Sequence, residues 1–414
     1  MKRTAIAVSI LYGIMPSAAL AYDWSIKASE SETVEVNSNQ FLRPYQAGSV
    51  GSYSTLTANT QARTPTTKFD LFGDGTYKKY WGPGFEGFPT EFLSYGFRGR
   101  YEINEKTRFD REFVETSWRQ QSTSLALLND LGVAVRASGF IDRLTASGGL
   151  DRSLTALDTV SLFATSTRTS YEPSSGGLPF NDTLARGTWR RSLSPIATIV
   201  GSSEYELLEY ENAFNTRIQI YRDQVGIDTN PTALISFRAN VGVAYLETER
   251  GTSTSPLGGN ASATPRNSAA SDWIGDAVLT YRMLKNTTLS LTAIRSVGPS
   301  VVGSLFKRET VNASLIQTLD SRSTLSLSAS WSRQISTTST DFVTASATYS
   351  YTLARDWLAQ FTYRYQHRFA SSGGATIIDP LTGLPTVSGT GPADSHSMMM
   401  VVTHNWTVLP SGSY

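Results

Sequence analysis

Leu93-Ser-Tyr-Gly-Phe-Arg-Gly-Arg-Tyr-Glu-Ile103 is written in two registers. One reads Leu93, Tyr95, Phe97, Gly99, Tyr101, Ile103; the other reads Ser94, Gly96, Arg98, Arg100, Glu102. Successive side chains of a β-strand point to opposite faces, so this stretch has one apolar and one polar side. The pattern recurs. Ile235, Phe237, Ala239, Val241, Val243 and Tyr245 oppose Ser236, Arg238, Asn240 and Gly242. Val343, Ala345, Ala347, Tyr349 and Tyr351 oppose Thr344, Ser346, Thr348 and Ser350. Trp357, Ala359, Phe361, Tyr363 and Tyr365 oppose Gln360, Thr362, Arg364 and Gln366.

Working outward, the alternation predicts strands near 23–36, 49–62, 66–79, 92–103, 107–119, 139–154, 159–172, 182–193 and 197–210. Nine more are expected near 215–227, 233–248, 272–283, 288–297, 304–319, 323–334, 340–353, 357–369 and 395–408. Eighteen strands place both termini on one side; the weak alternation of 23–79 and 120–138 leaves sixteen open. Short connections carry turn formers: Asn104–Thr107, Ser194-Pro195, Asn230-Pro231, Lys285-Asn286, Asp320–Ser323 and Ala354–Asp356. Between these hairpins lie long polar stretches, notably 120–138, 250–271 and 371–393.

The composition suits this reading. The 414 residues are 40% hydrophobic and only 17% charged, with 36 basic against 35 acidic side chains. That balance argues against nucleic acid as a partner. Cysteine is absent, which excludes disulfides and thiolate metal centres. Lys2, Arg3, an apolar stretch from Ala5 to Met15 and Ala19-Leu-Ala21 read as a signal peptide over 1–21, cleaved before Tyr22. The remainder, 22–414, is expected to be one domain. No run approaches the 18 or so apolar residues of a membrane helix.

A soluble sandwich turns its apolar faces to each other, whereas an outer-membrane barrel turns them to lipid. Strands of about 10–16 residues and alternating short and long connections favour an all-β, transmembrane, antiparallel up-and-down barrel. Aromatic residues gather near strand ends, as interfacial girdles do: Trp24, Trp118, Trp189, Tyr245, Trp273, Tyr281, Trp331, Tyr351, Trp357, Tyr365 and Trp406, with Tyr171, Tyr210 and Tyr221. A cation on the lipid face at mid-depth would cost about 2–4 kcal/mol. The polar register therefore supplies the candidate lumen lining: Arg98, Arg100, Glu102, Arg143, Arg186, Arg190, Arg238, Asn240, Arg282, Arg308, Gln360 and Arg364. Pairing with Asp151, Asp276, Glu204 or Glu206 and guidance of a solute are equally open for these charges.

The repeated units Leu150–Leu162 and Tyr281–Leu291, with the ending Ser395–Val408, carry a family resemblance. The chain resembles the β-barrel porins of exopolysaccharide gene clusters, a group that includes barrels found beside PEP-CTERM sorting systems. The resemblance covers most of the chain after the leader. It implies an eighteen-stranded exit pore in the outer membrane of a Gram-negative bacterium, with outer-membrane lipid, the barrel-assembly machinery, polysaccharide cargo and periplasmic synthesis or export proteins as partners. One departure stands out: Trp406-Thr-Val408 is followed by Leu409-Pro-Ser-Gly-Ser-Tyr414, so the terminal aromatic lies beyond Pro410.

Chemistry is sparse. Three histidines exist, His367, His396 and His404. Asp394-Ser-His396 offers triad residue types, but neighbours on a strand face opposite ways and cannot form a relay. His404-Asn405 faintly resembles outer-membrane phospholipases, without a serine at the required offset. Phe72-Gly-Asp-Gly-Thr-Tyr77 reads as a turn rather than a calcium loop. The sequence thus implies no enzyme, cofactor or metal. It implies a passive pore for exopolysaccharide export or, alternatively, a small-solute porin constricted by 120–138 (Leu125–Leu131); a barrel acting as adhesin or enzyme ranks last.

Overall fold

The computed structural model describes residues 23–42, 46–86, 89–104, 110–123, 139–172, 179–211, 215–249, 268–299, 305–335, 339–369, 377–378, 385–386 and 391–409. The signal peptide over 1–21 and the segment Leu125–Leu131 lie outside these residues. The first nine strands are β1 (Asp23–Asn37), β2 (Ser49–Arg63), β3 (Thr67–Trp81), β4 (Glu91–Asn104), β5 (Arg111–Ser122), β6 (Phe140–Ser153), β7 (Asp158–Tyr171), β8 (Phe180–Ser194) and β9 (Ala197–Tyr210). The second nine are β10 (Arg217–Thr232), β11 (Ile235–Glu249), β12 (Ser268–Leu284), β13 (Thr287–Pro299), β14 (Leu305–Thr318), β15 (Ser323–Ile335), β16 (Ser339–Ala354), β17 (Trp357–Arg368) and β18 (Ala393–Leu409). A two-residue ladder joins Ile377–Ile378 to Pro385–Thr386 apart from them.

Each strand pairs antiparallel with its sequence neighbours, and β1 pairs with both β2 and β18. The eighteen-stranded sheet is a closed up-and-down barrel, as the alternation predicts, and closure leaves no raw edge. β18 runs to Leu409, next to the Pro410 that cannot donate to a ladder; Tyr414 lies outside the described residues.

Register partners trace the tilt. From Trp357, the first residue of β17, successive partners are His404, Glu30, Leu56, Gly75, Tyr95, Gln120, Asp142 and Ser170, one residue short of the far end of β7. Eight steps of about 4.8 Å thus match some twelve residues of about 3.3 Å along a strand, a tilt near 45°.

Short connections (195–196, 233–234, 285–286, 319–322, 355–356) lie at the end where β1 starts; β3, β11 and β17 finish at the other end, where the long connections to β4, β12 and β18 begin. Two turn expectations are corrected. The turn at Asn230-Pro231 is displaced to 233–234, because Pro231 has no N–H for the ladder and the register slips there between Thr229 and Thr232. The Asp-Gly of Phe72–Tyr77 is not a turn: it lies inside β3, paired with Gly96 and Tyr95.

The outward register carries exposed aliphatic side chains, including Val114, Leu144, Val225, Val241, Val311 and Met400. All eleven aromatics from Trp24 to Trp406 named above for the girdles lie on it, toward the turn end (Trp189, Tyr281, Trp357, Trp406) or the loop end (Trp118, Tyr245, Trp273, Trp331). Tyr171 and Tyr210 are corrections, since both take the inward register and pack in a buried cluster. β1 is an exception to the apolar outer face: Glu30 and Glu32 share the register of Val34 and Val36, and Ser54 Oγ donates to Glu32 at 2.9 Å.

Candidate functional site

Register partners share a face, so the polar residues of neighbouring strands meet on the inner wall. On β4 and β5, Arg100 donates to Glu115 at 3.2 Å and to Glu102 at 3.3 Å, and Arg111 donates to Glu102 at 2.9 Å. The Arg100 guanidinium also lies 4.1 Å from the Phe113 ring centre. Arg98 stands 5.6 Å over Phe72, and Arg119 donates to Asp74 at 2.6 Å. On β8–β10, Arg186 Nε donates to Glu204 at 2.6 Å, while Arg222 bridges Glu204 and Glu206. Cation and anion alternate around this half.

The expected partners are partly different. Arg238 pairs with Asp228 across its own hairpin at 2.7 Å, and Asp276 instead accepts Asn240 Nδ2 at 3.0 Å. Arg364 reaches Glu35 at 3.4 Å and Ser397 at 3.3 Å, and Gln360 donates to Ser350 at 3.1 Å. Arg143, Arg190, Arg282 and Arg308 lie on the same inward register, opposite Thr169, Thr159, Thr288 and Gln334.

The other half of the wall is richer in hydroxyls. Ser328 meets Ser346 at 2.7 Å, Thr348 meets Thr362 at 3.0 Å, Ser31 meets Thr403 at 2.8 Å, and Ser29 meets Thr57 at 2.6 Å. Small hydroxyl side chains at successive inward positions of β15 and β16, joined by others on β1, β2 and β18, form a surface of donors and acceptors.

Toward the loop end the inner wall turns apolar. Phe41, from the connection after β1, and Phe85, from the 3-10 turn Pro83–Phe85, pack on the inward residues Tyr53, Tyr80 and Phe92. Phe85 stacks on Tyr80 with ring centres 4.1 Å apart. Beneath them the buried Glu35 carboxylate accepts from the Tyr53 hydroxyl, Asn37 and Arg364. A second cluster joins Phe180, Leu208, Tyr210, Ile218, Ile220, Leu246, Ile274 and Val297. Glu35, Tyr53, Arg222 and both clusters were not picked out by the sequence reading. Their only signal was parity: each except Val297 and the connection residues Phe41 and Phe85 extends an inward register.

The histidines are accounted for by hydrogen bonds and stacking. Ser395 Oγ donates to Asn37 on the inward side at 2.9 Å, whereas His396 meets the Tyr363 hydroxyl at 2.8 Å on the outward side. Asp394 holds His367 at 2.8 Å and accepts from Tyr365 at 2.7 Å. His404 lies between Trp357 and Trp406, with ring centres at 4.4 and 4.5 Å. Serine and histidine therefore stand on opposite sides of the sheet.

No family model matches the chain, and no curated protein matches it. Solved structures do. The ferric-catecholate import receptor Fiu of E. coli K12, in its open form, superposes with a TM-score of 0.49 at 12% identity, covering 93% of this chain and 82% of that one. The FrpB iron transporter of Neisseria meningitidis gives 0.49 at 7% identity, covering 96% and 83%. OccK2 (OpdF) of Pseudomonas aeruginosa gives 0.47 at 12% identity, covering 94% and 98%. At such identities the likeness extends to the barrel alone.

Proposed function

We propose that this chain forms a hydrated pore across the outer membrane of a Gram-negative bacterium and serves as a passive conduit for an exopolysaccharide. The observation that carries the reading is the pairing of two surfaces on one closed ring. An exposed aliphatic band bounded by aromatics faces out, and hydroxyls with paired charges face in. An eighteen-stranded ring is wide enough to hold water between its walls. The hydroxyl half offers weak, repeated hydrogen bonds to a sliding sugar chain. In the charged half Arg100, Arg119, Arg186, Arg222 and Arg238 each have a carboxylate partner, which softens the trap an anionic polymer would meet. No energy source belongs to the barrel itself; drive comes from synthesis on the inner side, and periplasmic synthesis or export proteins are the expected partners.

The polymer assignment is supported by the family resemblance and by the hydroxyl wall. The apolar clusters narrow the loop-end mouth and favour a second reading, a small-solute porin. Single-channel recording of purified protein in planar bilayers separates them. Conductance reversibly blocked by the native polymer supports export, conductance indifferent to polymer supports the porin, and an absence of conductance refutes both.

A further inference from the structure

The ladder between β12 and β13 stops early. It runs from Leu284 opposite Thr287 to Gly275 opposite Arg295. Yet β12 continues to Ser268, paired with β11 throughout, and β13 continues to Pro299, paired with β14. The same register prolonged would set Trp273 opposite Val297 and Ser271 opposite Pro299. Instead Val297 is buried in one cluster with Ile218, Ile220, Leu246 and Ile274, all on the inward register. Segment 296–299, still laddered to β14, has parted from β12 and leans into the lumen.

Three of the groups the ladder would have used are held by side chains. The Trp273 N–H donates to Asp272 Oδ1 at 2.8 Å, and the Trp273 carbonyl accepts from Arg295 Nε at 3.2 Å. The Val297 carbonyl accepts from Arg222 Nη2 at 3.1 Å. Lys307 and Arg295 bind Asp272, Glu309 binds Arg295, and the Trp273 ring lies 4.2 Å from that guanidinium. A wall facing lipid cannot leave backbone groups unpaired, so these side chains keep the split tolerable. Pro299, which has no N–H, weakens the competing zipped ladder. Behind the leaning segment lies a cavity of 170 Å³, lined on the wall side by Arg186, Glu204 and Gln224 and on the other by Asp276 and Ser296.

We propose that segment 296–299 is the movable constriction of this pore, with two states. In the inward state, described above, Arg222 tethers the Val297 carbonyl to the inner wall. In the zipped state Trp273 and Val297 exchange both backbone hydrogen bonds, the segment joins the wall, and the cavity opens into the lumen. Arg222 is the residue that biases the pair of states. The conductance consequence rests on the pore reading; the structural one does not.

The cysteine-free chain makes the test direct. Trp273→Cys with Val297→Cys places one thiol outward and one inward in the tethered state, but side by side in the zipped state. Ala277→Cys with Ala293→Cys, partners in the existing ladder, is the control. Heat-modifiable gel mobility checks folding of every variant. Under mild oxidant in liposomes, the control pair is expected to close at once and the test pair slowly. Adding Arg222→Met is expected to speed the test pair at least tenfold, and Arg222→Met alone to raise single-channel conductance. Failure of the test pair to close in either background, or closure at equal rates in both, overturns the proposal. Closure that is faster with Arg222→Met, in a protein that conducts nothing, retains the two states and overturns the pore.

Discussion

Val241→Arg puts the lipid-facing reading of the outer register at risk. Val241 is 58% exposed on that register, opposite Val225 and Gly275. It stands six residues from Ile235, whose partner is Tyr281 of the turn-end girdle, and four from Tyr245 of the loop-end girdle. At about 2.5 Å of axial rise per residue in a strand tilted near 45°, these girdles are about 25 Å apart, the height of an apolar band, and Val241 sits close to its middle. A guanidinium there should destabilise the barrel by about 2–4 kcal/mol, whereas the same change at Tyr245, near the interface, should cost about 0–1 kcal/mol. At 1.4 kcal/mol per decade, the first figure is a shift of about thirtyfold to several hundredfold in the folding equilibrium. Ser328→Arg, on the inward hydroxyl wall, is the matched control and should stay within about 1 kcal/mol. Denaturant-driven folding into phosphatidylcholine vesicles, followed by tryptophan fluorescence, measures all three. Equal costs for Val241→Arg and Ser328→Arg would falsify the assignment of the outer face to lipid.

Three further outcomes follow from the same geometry. Glu35→Ala removes the shared acceptor of Tyr53, Asn37 and Arg364, and should lower stability by about 1–3 kcal/mol in the same folding assay, while Glu35→Gln recovers part of the loss. Phe85→Ala empties a buried site in the aromatic cluster; conductance should rise as that side of the mouth loosens, and an unchanged conductance would show that the cluster does not narrow the path. Asp320, in the 319–322 turn, has its carboxyl held below the ordinary range, first by the Ser323 hydroxyl and then by the N–H groups of Arg322 and Ser323. Because the folded value is depressed, its contribution is present above the ordinary carboxylate range and is lost as pH falls through the folded value. The stability gap between wild type and Asp320→Asn should hold from neutral pH to about 5 and close in stronger acid, as read from unfolding curves at stepped pH.

Parity carried most of the fold into view. Leu93–Ile103 announces its two faces locally, and a two-residue period needs no knowledge of the partner strand. Pro231 misled because a missing N–H serves a bulge as well as a turn, and which it serves depends on the register across the hairpin. Asp74 misled because Asp-Gly is a turn signal only when its flanks pair with each other. Its actual partners are on β2 and β4, and its carboxylate meets Arg119. Of the candidate wall, the inward register of Arg98, Arg186 and Arg364 was legible. What covers an inward residue was not, since Ile218 and Ile220 look like wet lumen positions until segment 296–299 arrives from three strands away.

Ser31 and Thr403 share a hydrogen bond although 372 residues separate them. That joint is the last an up-and-down ring can make, and it has a temporal consequence. Until β18 reaches β1, any partial sheet presents two rows of unpaired backbone groups, each of them costly in hydrocarbon. Stable halves are therefore not available along the way, and the loss of chain entropy on closure falls in a single late step. Insertion and closure become one event. The edge of β1 has to be shielded by something other than lipid while it waits.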